Sequence, residues 1–336
     1  MNDTPLPRPP AELLDMANAY QRSKTLFALA ELGVPTLLAR RSLPLAEIAR
    51  ALRIDALAAD RFLNAGVAIG LLERVDGEFR NTALAEQFLV RDKPAYLGDL
   101  LLRYDRTSYA HWSEVVNKLR AWRPGASAAE TPREEDQGHE SLRAQHNLSF
   151  MTGHALGEAY DFSRHRLMLD LGGGTGSMSL GVCGVWPHLR AQVYDLPPLA
   201  EVAREFIRGT RVGERVGALA GDFKTDELPA GFDVALLANL LSTASEETNR
   251  ELFRCIHERL PADGAIILSG WLLEDDRTGP LLPVLFCLED ILWQAPDVER
   301  AASTYQRWLA EVGFVEIEHA AYCPPTSMIV GRKRAG

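Results

Sequence analysis

Leu167-Met-Leu-Asp-Leu-Gly-Gly-Gly-Thr-Gly-Ser177 is an apolar run that ends in a glycine cluster. A short apolar run closed by glycines reads as a buried strand, and the stretch after Ser177 reads as a helix. The pattern repeats downstream. Ala191–Tyr194, Val216–Ala220, Val234–Leu237 and Ala265–Ser269 are further strand candidates, each separated from the next by helical spacing. Strands that alternate with helices imply parallel βα units in a doubly wound α/β sheet. Phe314–Ala320 and Ser327–Val330 are joined only by Ala-Tyr-Cys-Pro-Pro-Thr. That is too short for a crossover helix, so these two strands should pair antiparallel.

The glycine cluster carries the first chemical signal. Glycines at a strand end permit positive φ and let the backbone approach a ligand with no Cβ in the way. Read as G-x-G-x-x-G from Gly172, the third glycine falls on Ser177, so the dinucleotide fingerprint fails. The alternative D-x-G-x-G-x-G, with Asp170, Gly172, Gly174 and Gly176, fits an S-adenosylmethionine loop. Asp195 follows the next strand, nineteen residues beyond Gly176, where an acid can accept from both ribose hydroxyls. Gly221-Asp222-Phe223 follows the third strand, where Asp222 can take the adenine amino group and Phe223 can pack on the ring. Each acid alone is equally a turn or helix-cap residue. Three in order, each at a strand end, make a cofactor site, and seven strands with a terminal hairpin resemble the sheet of the class I methyltransferases.

Upstream the texture changes. Leu13, Leu14, Met16 and Ala17, then Leu26, Phe27, Leu29 and Ala30, fall at helical spacing. Pro44–Leu52 opens a short helix, Arg53–Asp55 turns, and about 56–69 forms a second helix. Asp76-Gly77 then marks a two-residue hairpin. Helix, turn, helix and two-stranded wing make a winged helix. The expected organisation is an N-terminal domain over 1–122, a polar loop and connecting helix over 123–150, and the cofactor domain over 151–336. The turn-rich text from Arg123 to about Arg143 supplies that loop.

Composition narrows the class of function. The 336 residues carry 36 basic and 46 acidic side chains, a net charge of −10. That balance argues against a general nucleic-acid or anionic-membrane binder. Four scattered cysteines form no CxxC pair, no signal pattern opens the chain, and no apolar run reaches membrane-spanning length. The expectation is a cytoplasmic protein without metal. Asp275-Asp276 is the tight acidic pair near a strand end, and no His stands beside it.

These motifs together resemble the S-adenosylmethionine-dependent O-methyltransferases of the caffeic-acid and bacterial natural-product type, including hydroxyneurosporene-like members. The likeness covers nearly the whole chain: the winged helix, the Trp112-x-x-Val115…Leu119 helix, Tyr160-Asp161-Phe162, the DLGGGTG loop and Val193-Tyr-Asp-Leu-Pro197. It implies S-adenosyl-L-methionine as cofactor, held by the loop, Asp195, Leu196, Asp222, Phe223 and Asn239. It also implies a homodimer formed through the N-terminal helices, with the wing used for dimerisation rather than for DNA. Asp60 and Arg61 on the second wing helix, with few other charges, agree with that.

The chain departs from the family at one place. Many members carry His-Asp-Trp after the fourth strand; here Ser242, Thr243 and Ala244 occupy those positions. A serine hydroxyl is no general base at neutral pH, so the His-base mechanism cannot be carried over. Three explanations stay open. His111, His146 or His154 supplies the base; or the acceptor is an acidic hydroxyl, an amine or an activated carbon that needs none; or the bound cofactor serves non-methylating chemistry. The Ser242 stretch also resembles that of the bacteriochlorophyllide C-methyltransferases. Methyl transfer tolerates a missing base, because alignment can contribute roughly 7–11 kcal/mol and a general base only ~10²–10⁴-fold. Phe150, Met151, Trp271, Phe286, Leu288 and Trp293 are large apolar groups suited to a planar acceptor, with Asn239 placed to orient either ligand. Any of them can equally be core, and Glu289-Asp290 is read as facing solvent. The expected function is methylation of a small aromatic or polyketide-like acceptor, most often at oxygen.

Overall fold

The computed structural model describes residues 10–123, 135–293 and 301–334, the side chains of 135–141 excepted. The chain forms two compact units, Met1–Ala110 and His111–Gly336. In the first, α1 (Ala11–Glu31), α2 (Val34–Leu37), β1 (Leu43–Pro44), α3 (Leu45–Leu52) and α4 (Ala56–Ala68) precede a hairpin. The hairpin strands are β2 (Leu72–Val75) and β3 (Glu78–Asn81), followed by α5 (Ala83–Phe88) and α6 (Gly98–Arg106). Arg53 ends α3 in the left-handed region, and the Asp55 carboxylate caps α4 by accepting from the Leu57 N–H at 2.8 Å. Asp76 and Gly77 both have positive φ, 51° and 85°, which is the two-residue turn whose twist suits a hairpin. The strands order β1-β3-β2, all antiparallel, and Leu29, Ile48, Leu63, Leu72 and Phe79 close a core of their own. The winged helix expected between Pro44 and Asn81 is present.

A short helix, α7 (Ser108–Ser113), spans the division, and the second unit continues with α8 (Val115–Ala121) and α9 (Glu135–Ala159). Then come β4 (Leu167–Leu171), α10 (Ser177–Val185), β5 (Arg190–Asp195), α11 (Pro197–Ile207) and β6 (Val216–Ala220). They are followed by β7 (Val234–Ala238), α12 (Glu246–Arg259), β8 (Ala265–Gly270), α13 (Leu281–Leu292) and α14 (Ala302–Val312). The antiparallel pair β9 (Phe314–Cys323) and β10 (Thr326–Lys333) closes the unit. Segment 111–122, which the sequence reading gave to the N-terminal domain, groups with this unit, where α8 packs on α13.

The sheet runs β6-β5-β4-β7-β8-β10-β9, parallel except for β10, which is antiparallel to both neighbours. One face buries Leu169, Leu171, Leu237 and Leu268 against Phe253, Tyr305 and Trp308 of α12 and α14. The other buries Met168, Val193, Leu236 and Ile267 against Leu156, Met178, Val182 and Ile207 of α9, α10 and α11. Chain order reverses between β4 and β7, and ligands of open α/β sheets bind outside the strand carboxyl ends at such a point.

Two expectations are corrected. The polar text continuing to Arg143 is not all loop, because α9 starts at Glu135; 124–134 lie outside the described residues. Residues 139–145 are Glu, Leu, Arg, Ala and Gln apart from His139 and Ser141, and such side chains lose little rotamer freedom in a helix. Strand β9 also extends to Cys323 rather than ending at Ala320, since Ala321 still pairs with Ser327 and Cys323 with Thr326.

Candidate active site

The loop after β4 is built from glycines because nothing else fits. Gly172, Gly174 and Gly176 have φ of 65°, 56° and 72°. A Cβ on Gly172 would lie 2.6 Å from Leu240 Cδ1, and one on Gly173 2.8 Å from the Asp170 carboxyl. The first contact also sets the glycine loop directly against the turn that carries Ser242.

Beneath the loop lies Asp170, 0% exposed, its Oδ2 accepting from the Ser179 hydroxyl at 2.7 Å. Its other oxygen has no hydrogen-bond partner. Burial pushes its carboxyl up to about 7, with the nearby Asp195 adding in the same direction. Asp170 therefore braces the loop from below through α10, a different task from the ligand contact expected of it.

That burial has a pH consequence. Because the folded value of about 7 lies above the ordinary 3.8, the folded chain holds an extra proton between the two. Stability is fullest below the ordinary value and is lost as the pH rises towards the folded one. Asp170→Asn keeps an acceptor for Ser179 without the charge. In the cofactor-free protein it should be the more stable form at about pH 8, by an order of 2 kcal/mol, with the gap shrinking towards about pH 5. Thermal melts of both proteins across that range check it.

Asp195 closes β5 beside the loop. Its Oδ2 accepts from the Gly174 N–H at 2.9 Å and its Oδ1 from the Leu196 N–H at 2.8 Å. Burial raises its carboxyl above the usual range, and these two bonds oppose that. Leu196 is exposed at the start of α11. Past β6, Asp222 accepts from the Lys224 N–H at 2.9 Å in a tight turn, and Phe223 packs partly into the core. Past β7, Asn239 has φ of 54°, and its N–H donates to the Ser269 carbonyl at 2.8 Å. A left-handed asparagine at a strand end is a strained placement of the kind that clusters at functional sites. Thus the glycine loop, Asp195, Asp222, Phe223 and Asn239 occupy four adjacent strand ends.

Asn239, Ser242, Ser269, Trp271 and Tyr305 line a shallow cleft that opens to solvent. Buried Asn249 of α12 fixes the floor, its amide donating to the Leu241 carbonyl at 2.9 Å. Trp271 donates to Thr326 Oγ1 at 3.2 Å and meets Phe286 edge-on at 5.1 Å between centroids. Sequence reasoning missed Tyr322, whose hydroxyl lies 2.7 Å from Ser269 Oγ. Only the aromatic at a strand end could have signalled it. Phe150 of α9 packs onto the core face shared with α10, and Met151 beside it is half-buried.

The candidate bases divide clearly. His111 stacks on Trp293 at 3.7 Å, and Lys118 Nζ sits 3.1 Å from its Nδ1. Burial and that ammonium hold the imidazole below its ordinary value, with its lone pair occupied by Lys118. Trp293 also donates to Glu289 at 3.2 Å, so Glu289 is engaged rather than free in solvent. His154 is half-exposed and faces Glu158 at 3.8 Å, one turn along α9. His146 alone reaches the glycine loop, with Nδ1 2.9 Å from Thr175 Oγ1. Burial lowers it to about 4, which makes it a poor base at neutral pH. Among the described residues no group of His, Cys, Asp and Glu could hold a metal ion. No described helix is long and apolar enough to cross a membrane.

The comparisons agree with this geometry. Residues 120–315 match the model of the O-methyltransferase domain, and 14–91 that of the O-methyltransferase dimerisation domain. The chain is 30% identical to the tetracenomycin polyketide synthesis 8-O-methyl transferase TcmO of Streptomyces glaucescens, over 97% of each chain. It is 32% identical to the N,N-dimethyltransferase OxyT of Streptomyces rimosus, over 94% of each. The human N-acetylserotonin methyltransferase, solved with S-adenosylmethionine, superposes with a TM-score of 0.84 at 29% identity, over all of both chains. A side-chain-free cradle beside a carboxylate is what a sulfonium nucleoside needs, and both halves of the family pattern lie in this one chain. It belongs to the O-methyltransferase family with an N-terminal dimerisation domain, and is an S-adenosylmethionine-dependent methyltransferase.

Proposed function

We propose that this enzyme methylates an oxygen of a small aromatic, polyketide-like acceptor, and that it does so without a protein general base. The observation that carries this reading is the Ser242 turn, pressed against Gly172 through Leu240 where the family places its His. His111 and His154 are engaged elsewhere, and His146 faces Thr175 and is lowered by burial to about 4, too weak to draw the proton.

S-adenosylmethionine supplies a methyl carbon already activated by its sulfonium. Asp195 accepts from the ribose hydroxyls, Asp222 from the adenine amino group, and Leu196 and Phe223 cover the ring. The glycine loop admits the cofactor against bare backbone. Asn239 and Trp271 of the cleft orient the acceptor, and Phe150, Met151, Phe286 and Trp293 are the further apolar groups proposed to enclose it. Alignment of nucleophile, carbon and sulfur then carries the rate, and an acidic phenol ionises unaided. TcmO, an O-methyl transferase of polyketide synthesis, supports methylation of a polyketide-like acceptor at oxygen; OxyT supports nitrogen as the second reading.

The N-terminal unit is proposed to pair two copies. Leu13, Leu14, Met16 and Tyr20 stand exposed on α1, an apolar face of the kind that marks an interface. Asp60 engages Arg61 at 3.2 Å and Arg74 at 3.9 Å, which leaves the wing poorly charged for nucleic acid. Cys183, Cys255 and Cys323 are free thiols, which suits a cytoplasmic enzyme.

The test is mass spectrometry after incubating hydroxylated anthraquinones with deuteromethyl-labelled cofactor. One labelled methyl on oxygen is expected, with a rate that rises as the phenol ionises. A methyl on nitrogen of an amino-substituted analogue alone favours the second reading. Consumption of the acceptor with no mass gain overturns both.

A further inference from the structure

The first half of α9 lies over the cofactor loop in a way that the sequence motifs do not explain. Leu142 Cδ2 sits 3.2 Å from where a Cβ of Gly174 would be. Arg143 pairs with Glu205 of α11 at 2.5 Å and stands over the Phe206 ring, 5.3 Å from its centroid. His146 lies against the same ring at 4.2 Å and turns its Nδ1 to Thr175. Arg143 and His146 thus both pack on Phe206, and Thr175, 3% exposed, has its buried hydroxyl met by the imidazole. One turn further along the helix is Phe150, among the residues proposed to face the acceptor.

We propose that His146 is a cofactor-positioning residue: its bond to the Thr175 hydroxyl holds the Gly172–Gly176 cradle in the form that accepts S-adenosylmethionine. The residue touches the loop and not the reacting atoms. A loop with three positive-φ glycines is costly to order, because glycine loses the most conformational freedom. An anchor on the fourth non-strand residue after β4 lowers that cost before the ligand arrives, and pre-ordering is a recognised route to affinity. The imidazole suits the task because burial keeps it uncharged at neutral pH, so no extra positive charge is brought towards a sulfonium. Leu142 and His146 at helical spacing put both contacts on one stripe of α9.

This inference rests on the cofactor reading, and the experiment separates the two. Calorimetric titration with S-adenosylhomocysteine is run on the wild type, His146→Leu, His146→Asn, Thr175→Val and the His146→Leu/Thr175→Val double variant, with a thermal melt of each cofactor-free protein. Wild-type binding is expected, with the dissociation constant raised about tenfold in His146→Leu and Thr175→Val. The double variant should be no weaker than either single one, because both remove the same bond. Asn presents a polar atom near the Nδ1 position, so His146→Asn should recover most of the affinity while melting like His146→Leu. Unchanged affinity in His146→Leu, additive losses in the double variant, or affinity that merely tracks the melting temperature overturns the inference. Absence of binding by the wild type overturns the cofactor reading instead.

Discussion

Gly153→Val is expected to destabilise the second unit by about 3 kcal/mol. A Cβ at Gly153 would lie 2.4 Å from the Met178 carbonyl oxygen and 2.7 Å from its Cα. Both are backbone atoms of α10, so no rotamer change can relieve the clash. Gly181 on the other helix is equally tight, 2.4 Å from the His154 nitrogen and 2.5 Å from the Phe150 oxygen. The two helices thus touch backbone to backbone, and a branched side chain must lever them apart. That would open the core formed by Leu156, Met178 and Val182. Gly184 in the same helix is the control, since a Cβ there meets nothing within 4 Å. Gly184→Ala should be neutral or gain up to about 1 kcal/mol from helix propensity. Chemical denaturation of the three proteins measures this, and a Gly153→Val midpoint equal to the wild type contradicts the close crossing.

Asp195→Ala should weaken S-adenosylhomocysteine about 100-fold, equivalent to about 2.7 kcal/mol. The carboxylate is proposed to accept from two ribose hydroxyls, and bonds to a charged group contribute about 1.5–3 kcal/mol each. Part of the loss comes from the protein itself. The Gly174 and Leu196 N–H groups lose their acceptor, so the cradle loosens as the ligand loses its partner. Asp195→Asn keeps one acceptor oxygen and should fall between the two proteins. Calorimetry resolves the series, and wild-type affinity in Asp195→Ala would remove Asp195 from the ribose site.

The sheet was readable because its strands are short apolar runs punctuated by glycine and polar turns. All five of these parallel strands coincide with the expected spans or extend no more than one residue beyond them at either end. Asp195 was legible for the same reason: it ends a strand whose partner carries the glycine cluster. What escaped depends on contacts distant in sequence. Nothing local to Asp170 says that its carboxyl is sealed under Gly173 rather than open to the ligand. The Ser269–Tyr322 pair joins residues that become neighbours only when β10 inserts between β8 and β9. The start of α9 was masked by polarity, since a run as polar as Glu135-Asp-Gln-Gly-His-Glu-Ser141 reads as loop when taken by itself.

Direct titration of the wild-type protein with S-adenosylhomocysteine tests whether this chain binds an S-adenosyl nucleoside in the cradle after β4. Saturable binding with one site per chain is expected, weakened by Asp195→Ala and by a side chain at Gly172. Absence of binding, or binding indifferent to both substitutions, would contradict it.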